Sequence, residues 1–398
     1  MSRCDRQTSV PAVVLQLYHG GLAVARSLGR LGVEVHGVTA NRRRPGARSR
    51  YFREVHAWDI DAAAPHETID WLVDLGTKIT GRPLLIPTED VGAMLVADHV
   101  DTLGEVFRFP EQPPGLARRL SNKADMQQIC AEHAIPTPLA IAPRTRADVE
   151  RFLAATTFPV VVKGLETSRL QQDAAARVLV VRTEQGLWRL WEDMTAAGEP
   201  NILLQEYIPG GPDSVWMFNG YFDQASDCLI GITGQKLRQY PPYTGFTSLG
   251  ICRDNETVRD MTRTFMKRLG YRGVLDLGYR YDSRDGIYKL LDVNPRVGST
   301  FRLFVSSNGL DVVQAMYFDL TDQEAHAGAP IPGRKWLIEN LDLASSFTYF
   351  RNGELRPVAW LHSFRGVKET AWFARDDPAP FAAMVCDSLL GAIRAFRL

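Results

Sequence analysis

The sequence lacks both a CxxC pair and an HExxH motif, which removes the common zinc-ribbon, redox-dithiol and zinc-protease readings. Its five cysteines, Cys4, Cys130, Cys228, Cys252 and Cys386, are scattered and odd in number, fitting reduced thiols better than a disulfide framework. The eight histidines are equally dispersed and give no zinc pattern, so a metal here is expected to be hard and oxygen-bound. No stretch has the length of a membrane span, and the apolar run near the start is too short and interrupted for a secretory signal. The expected setting is the cytoplasm, with no membrane partner. Excess charge is missing too: 46 basic residues balance 46 acidic ones, which leaves no overall electrostatic case for nucleic acid. Repeats and low-complexity tracts are also absent.

What the chain does have is material for cores: 398 residues, 45% of them hydrophobic and 10% aromatic, enough for two or three domains. "AVVLQL", "HGGLAVARSLGRLG" and "VEVHGV" read as strand, glycine turn, helix and strand, and "HETIDWLVDLGTKI", "PLLIPT" and "DVGAMLVADHVDTL" continue the alternation. Residues 1–110 are therefore expected to form a doubly wound α/β domain, ended by the proline-rich "FPEQPPG". A second domain is expected over 111–320. It opens with a helix capped by Ser121 in "SNKADM" and contains a small α+β unit at about 137–208, where Thr145 and Asp148 have capping-box spacing. Further on, "GVLDLGYRY" and "IYKLLDVN" flank "DSRDG", a strong hairpin-turn signal. The segment 321–398 ends in a helical pattern expected to pack on the body.

Several residue sets could carry chemistry. In "LLDVNPR", Asp292, Asn294 and Arg296 alternate, so their heads share one strand face. A carboxylate and an amide oxygen there suit Mg²⁺, and the guanidinium suits a phosphoryl group beside it; a polar strand end is the plain alternative. Lys163 ends the apolar strand "PVVVK", and Lys123 sits at a helix start; each reads as a phosphate contact or as a surface lysine. "LLQEYIPGG" runs a buried strand into a hinge where backbone and Glu206 could hold an adenine, with Asp213 near its ribose. Lys236 and Arg238 in "GQKLRQYPP" are two apart, so on a regular strand both would face phosphate or both would face solvent.

In order and kind, these stretches resemble the ATP-grasp superfamily, and the whole chain looks like a carboxylate-amine ligase of that group. The resemblance is carried by "SNKADM", "VVVKG", "QEYIPGG", "KLRQYPP" and above all "LLDVNPR". It implies an N-terminal pre-ATP-grasp domain, a two-lobed ATP-grasp fold with 137–208 as the small lid, and the cofactors ATP and Mg²⁺, with Mn²⁺ an alternative. The implied reaction phosphorylates a small carboxylate, an amino acid or short peptide, and couples it to an amine with release of ADP. The implied roles put Lys123 and Lys163 on phosphates and Glu206, Tyr207 and Ile208 on adenine, with Asp213 on ribose. Asp292, Asn294 and Asp276 would hold metal, and Lys236, Arg238 and Arg296 would sit on the transferring phosphoryl group. Substrates would be lined by His19, Gly20, Glu89, Asp90 and Arg302, each of which also reads as a helix cap or surface charge. The oligomeric state is left open, a homodimer included.

Two departures stand out. The second metal ligand usual on the neighbouring strand falls at Gly278, with Asp276 two residues earlier on the same face. The segment after Lys163 lacks a glycine-rich lid, so closure would fall to Ser168, Arg169 or Gln172. Two other readings remain. "YHGGLAVARSLG" followed by "NRRRPGAR" suggests an NADP-dependent oxidoreductase, although its glycine spacing misses G-x-G-x-x-G. A non-catalytic ATP-binding protein follows if Gly278 abolishes a metal site.

Overall fold

The computed structural model describes residues 7–164, 178–196 and 201–395. The opening alternation folds into four parallel strands, β1 (Ala12–Leu15), β2 (Val35–Thr39), β3 (Phe52–Ala57) and β4 (Leu84–Pro87), in the order β3-β2-β1-β4. β1 and β2 are buried throughout; β1 is accordingly all apolar, whereas β2 carries His36 and Thr39 among its buried positions. The chain winds outward through β2 and β3, then returns to the other side of β1 to lay down β4. At such a reversal the loops leaving the two central strands part and open a crevice at the strands' carboxyl ends. His19 follows β1 and Glu89 and Asp90 follow β4, so all three are carried to that end of the sheet.

A second sheet contains β5 (Ala140–Ile141), β6 (Val160–Gly164), β7 (Val178–Val181) and β8 (Ile202–Glu206), antiparallel in the order β5-β8-β6-β7. Val149, Phe152, Val160, Val162, Leu187, Trp191 and Leu204 form its core with the helices Arg146–Ala155 and Glu184–Ala196. The first helix begins at the expected capping box: Thr145 Oγ1 accepts from the Asp148 amide at 3.2 Å, and the Asp148 carboxylate accepts from the Thr145 amide at 2.8 Å. Ser168, Arg169 and Gln172 lie outside the described residues.

The largest sheet has seven strands: β9 (Val215–Phe222), β10 (Cys228–Tyr240), β11 (Phe246–Cys252), β12 (Gly273–Asp282), β13 (Ile287–Asn294), β14 (Lys335–Leu337) and β15 (Val367–Thr370). Their order is β13-β12-β9-β10-β11-β14-β15. The β12–β13 hairpin turns at Gly286, whose φ of 77° is the left-handed conformation a turn glycine supplies without strain. The last two strands come from the segment after 321, which is woven into the central sheet as well as packed on the body. One core cluster runs from Val14 and Leu22 through Tyr221, Ile232 and Phe304 to Trp336, so the N-terminal and central sheets share it. Arg26 adds a polar tie to the tail, bonding Asp377 at 3.0 Å and the backbone carbonyls of Ala371 and Trp372.

Ser121 is not the cap expected of it. It ends a short helix, Leu116–Ser121, and Asn122 caps the next, Lys123–Glu132, its side-chain oxygen accepting from the amides of Ala124 and Asp125. Asn and Ser are near-equal caps, so sequence preference alone did not choose between adjacent residues. Among the described residues no helix is long and apolar enough to cross a membrane.

Candidate active site

A cleft of about 430 Å³ is bounded by the β6–β8 sheet on one side, by β10, β12 and β13 on the other, and by the loops leaving β1 and β4. Three lysines meet there. Lys163, on β6, is only 8% exposed. Its burial, with Lys123 and Lys236 close by, pulls its pKa down to about 8 against the opposing pull of Asp292. Lys123 Nζ donates to the Gly164 carbonyl at 2.8 Å, and Lys236 Nζ to that of Gly245 at 3.3 Å. A cleft that gathers cations and depresses the pKa of one of them is prepared for an anion with several negative charges.

Opposite the lysines, the hairpin presents oxygen. Asp276 pairs with Asn294 and Gly278 with Asp292 across β12 and β13, and all four residues line the cleft. Gly278 has a steric reason: a Cβ there would lie 2.3 Å from Asp292 Oδ1, so the carboxylate occupies the space a side chain would need. Asp276 is packed the same way over Gly298, where a Cβ would lie 2.6 Å from Oδ2. Burial raises the Asp276 pKa, and Asp292 raises it further, while Arg296 and Lys236 pull it down. Asn294 Nδ2 donates to the Asp276 backbone carbonyl at 3.3 Å, leaving its amide oxygen as the end for a cation. Asn219 Nδ2 lies 3.5 Å from Asp276 Oδ1, and its own Oδ1 is buried without a partner among the described residues.

The N-terminal loops close the third side. Arg296 bonds Asp90 across the two units. Burial opposes its charge, but Asp90 and Glu89, with Asp276, raise its pKa overall. His19 lines the cleft within 6.1 to 6.3 Å of the rings of Phe246, Trp336 and Trp372. Desolvation lowers its pKa to about 4, so it stands as a neutral ring, and its Nε2 has no partner among the described residues. Gly20 is buried behind it against Ser299, outside the lining.

Besides Gly20, four expected residues are not brought to the cleft wall. Arg238 is the clearest correction: it is 5% exposed and makes a bidentate pair with Asp342 at 2.7 and 2.9 Å. The β10–β11 register shifts between Lys236 and Arg238, which breaks the two-residue alternation and turns the guanidinium to the far face. Gln239 lines the cleft instead. Glu206 accepts from the Leu139 amide and pairs with Arg284 and Lys289, tying β8 to the hairpin turn. By strand alternation its neighbour Gln205 takes the cleft face, and Gln205 Oε1 is buried without a partner among the described residues. Asp213 is exposed and off the lining, while Tyr207 and Ile208 are on it. Arg302 is held by Asp311 and Glu369 in a buried network that includes Arg334. Arg280 is a residue that sequence reasoning missed. It lies two beyond Gly278 on the same face, 5.7 Å from the Tyr207 ring, and its alternation with Asp276 and Gly278 was the available signal.

Two α+β sheets facing each other across a cation-lined cleft, with an α/β unit at one end, also describe known proteins. The chain aligns with an L-amino acid ligase from Bacillus licheniformis over 83% of its own length and 79% of that chain, at a TM-score of 0.62 and 15% identity. It aligns with an N5-carboxyaminoimidazole synthetase from Staphylococcus aureus, solved with ADP, over 87% of both chains at a TM-score of 0.65 and 12% identity. The chain has the ATP-grasp fold. In sequence, 243 residues are 28% identical to a D-aspartate ligase from Enterococcus faecium (strain Aus0004), covering 58% of this chain. The match spans 57% of that relative's length. No family model matches the chain. Within the ATP-grasp fold the cleft lies between the four-stranded β5–β8 sheet and the seven-stranded sheet, with the β1 and β4 loops at its end.

Proposed function

We propose that the chain is an ATP-dependent ligase that joins a small carboxylate, an amino acid or short peptide, to an amine. The observation that carries this is one cavity holding three lysines, a hairpin whose two strands bear oxygen ligands and the crevice of the N-terminal sheet. The D-aspartate ligase and the L-amino acid ligase that the chain resembles support the same class.

The residues fit a nucleotide and Mg²⁺. Lys123, Lys163 and Lys236 would neutralise phosphates, and Ile208 and Tyr207 would flank the base, with Arg280 across from them. Gln205, rather than Glu206, would accept from an adenine amino group, since its carbonyl is the buried end without a partner. Asp292 and Asn294 supply the hard oxygens Mg²⁺ favours, with Asp276 and the orphaned Asn219 Oδ1 beside them. When bound, the metal would neutralise phosphate charge. Arg296 would then meet negative charge on the phosphoryl group, held in position by Asp90. Phosphoryl transfer requires positioning and charge stabilisation more than a protein nucleophile, and the cleft offers those.

In this reading the carboxylate becomes an acyl phosphate and the amine displaces phosphate to give an amide. The crevice at His19, Glu89 and Asp90 would receive the substrates, with Glu89 facing an ammonium and the neutral His19 ring packing against carbon. The division into an N-terminal domain, an ATP-grasp core with a lid at 137–208, and a C-terminal segment is part of the same proposal. The test is a panel of amino acids and metabolite acids paired with amines. ADP release that needs both partners, with a product mass equal to acid plus amine minus water, supports it. ADP release with the acid alone at full rate, or nicotinamide turnover in place of ADP, contradicts it.

A further inference from the structure

Far from the cleft, at the edge of the N-terminal sheet, parallel pairing assembles a group of residues that their spacing in the chain conceals. His36 on β2 is in register with Glu54 on β3, and Val38 with His56, so His36, Glu54 and His56 fall on one face. One ligand atom from each of the three lies within 4.8 Å of the others. His36 Nδ1 and His56 Nε2 are 3.2 Å apart. Two nitrogens bound at about 2.0–2.1 Å to one tetrahedral ion are separated by about 3.3 Å.

The outer ring nitrogens support the same reading. Glu34 Oε1 lies 3.1 Å from His36 Nε2 and accepts its N–H, which leaves the Nδ1 lone pair directed toward His56. Glu54 Oε1 lies 3.9 Å from His56 Nδ1. A hydrogen bond between the two rings accounts for their contact alone; a carboxylate on the outer nitrogen, as Glu34 is on His36, is what metal-binding histidines use to fix their orientation. Trp71 stands edge-on to His56 at 6.4 Å and stacks on Trp58, walling one side.

We propose that His36, His56 and Glu54 form a site for a borderline divalent transition metal, with Zn²⁺ as its probe, that clamps edge strand β3 to β2. Water completes the coordination. An imidazole-rich set of this kind differs in chemistry from the oxygen-lined cleft, so the two sites select different ions.

The experiment uses the full chain without a histidine tag, stripped with chelator and dialysed against Zn²⁺, with metal counted per chain and melting followed with and without Zn²⁺. Wild type should hold about one Zn²⁺ and melt about 3 °C or more higher with it. Asp292→Asn should do the same, and His56→Gln should weaken binding at least about tenfold. Glu54 is exposed, so Glu54→Gln decides the matter if His56→Gln misfolds; a weaker Zn²⁺ affinity with unchanged metal-free melting is expected. Wild type that holds almost no Zn²⁺, or variants that hold it as tightly as wild type, would overturn the site.

Discussion

Two sets of cations in this molecule are treated in opposite ways. The buried arginines are each answered by carboxylate: Arg26 by Asp377, Arg238 by Asp342, Arg302 by Asp311 and Glu369. In the cleft, Lys236 donates to a backbone carbonyl and Lys163 is buried beside Lys123 and Lys236 with a lowered pKa. A charge already paired holds a scaffold together; charges gathered and only partly answered hold a place for a ligand. Lys236 and Arg238 make the contrast within one strand, where a single bulge sends one to the ligand side and the other to the scaffold.

The largest effect expected from this contrast is on the scaffold side. Asp342→Ala leaves Arg238 buried without its partner and should cost about 3–5 kcal/mol of stability, read by denaturant unfolding, while the KM for ATP of the folded fraction stays near wild type. A normal melting curve with a damaged KM would reverse the assignment of Arg238. Next comes the cleft. Asp292→Asn and Asn294→Ala should each lower Mg²⁺-dependent ADP formation by about 100-fold or more with the fold intact by circular dichroism. Near-normal turnover would remove both from the metal site.

Proton linkage sharpens the comparison further. Lys163 has a folded pKa of about 8, below its ordinary value near 10.5. Its contribution to the stability of the ligand-free protein is therefore complete above about 10.5 and is lost as pH falls through about 8. Anionic nucleotide favours the charged lysine, so above pH 8 binding must take up a proton, and affinity should fall by up to about tenfold per pH unit. Calorimetry in buffers of different ionisation enthalpy reads that proton, and Lys163→Met should abolish the uptake. The smallest effect separates neighbours on β8: Gln205→Leu should raise the ATP KM by roughly tenfold, the worth of about one hydrogen bond, whereas Glu206→Gln should leave it nearly unchanged.

Much of this was legible in the chain. Strand and helix alternation disclosed the N-terminal sheet, Thr145 and Asp148 disclosed a helix start, and "LLDVNPR" disclosed a strand whose Asp292 and Asn294 do line the cleft. Lys123, Lys163 and Lys236 are brought together as their order along the chain led one to expect. What was hidden depends on register and on long-range partners. No local pattern announced the bulge beside Arg238, and Asp342, its partner, lies 104 residues away. Glu206 and Gln205 differ only in which face β8 turns inward, which is fixed by pairing with β5 and β6. His36 and His56 are 20 residues apart and meet only because two parallel strands align. Gly278, which looked like a missing ligand, is the space that the Asp292 carboxylate fills.

The central claim is that the cleft activates a carboxylate with the terminal phosphoryl group of ATP. It is tested most directly by running the ligation with a substrate whose carboxylate carries ¹⁸O and weighing the phosphate released. With both carboxylate oxygens labelled, each phosphate formed should carry one ¹⁸O. Unlabelled phosphate accompanying the amide product would contradict it.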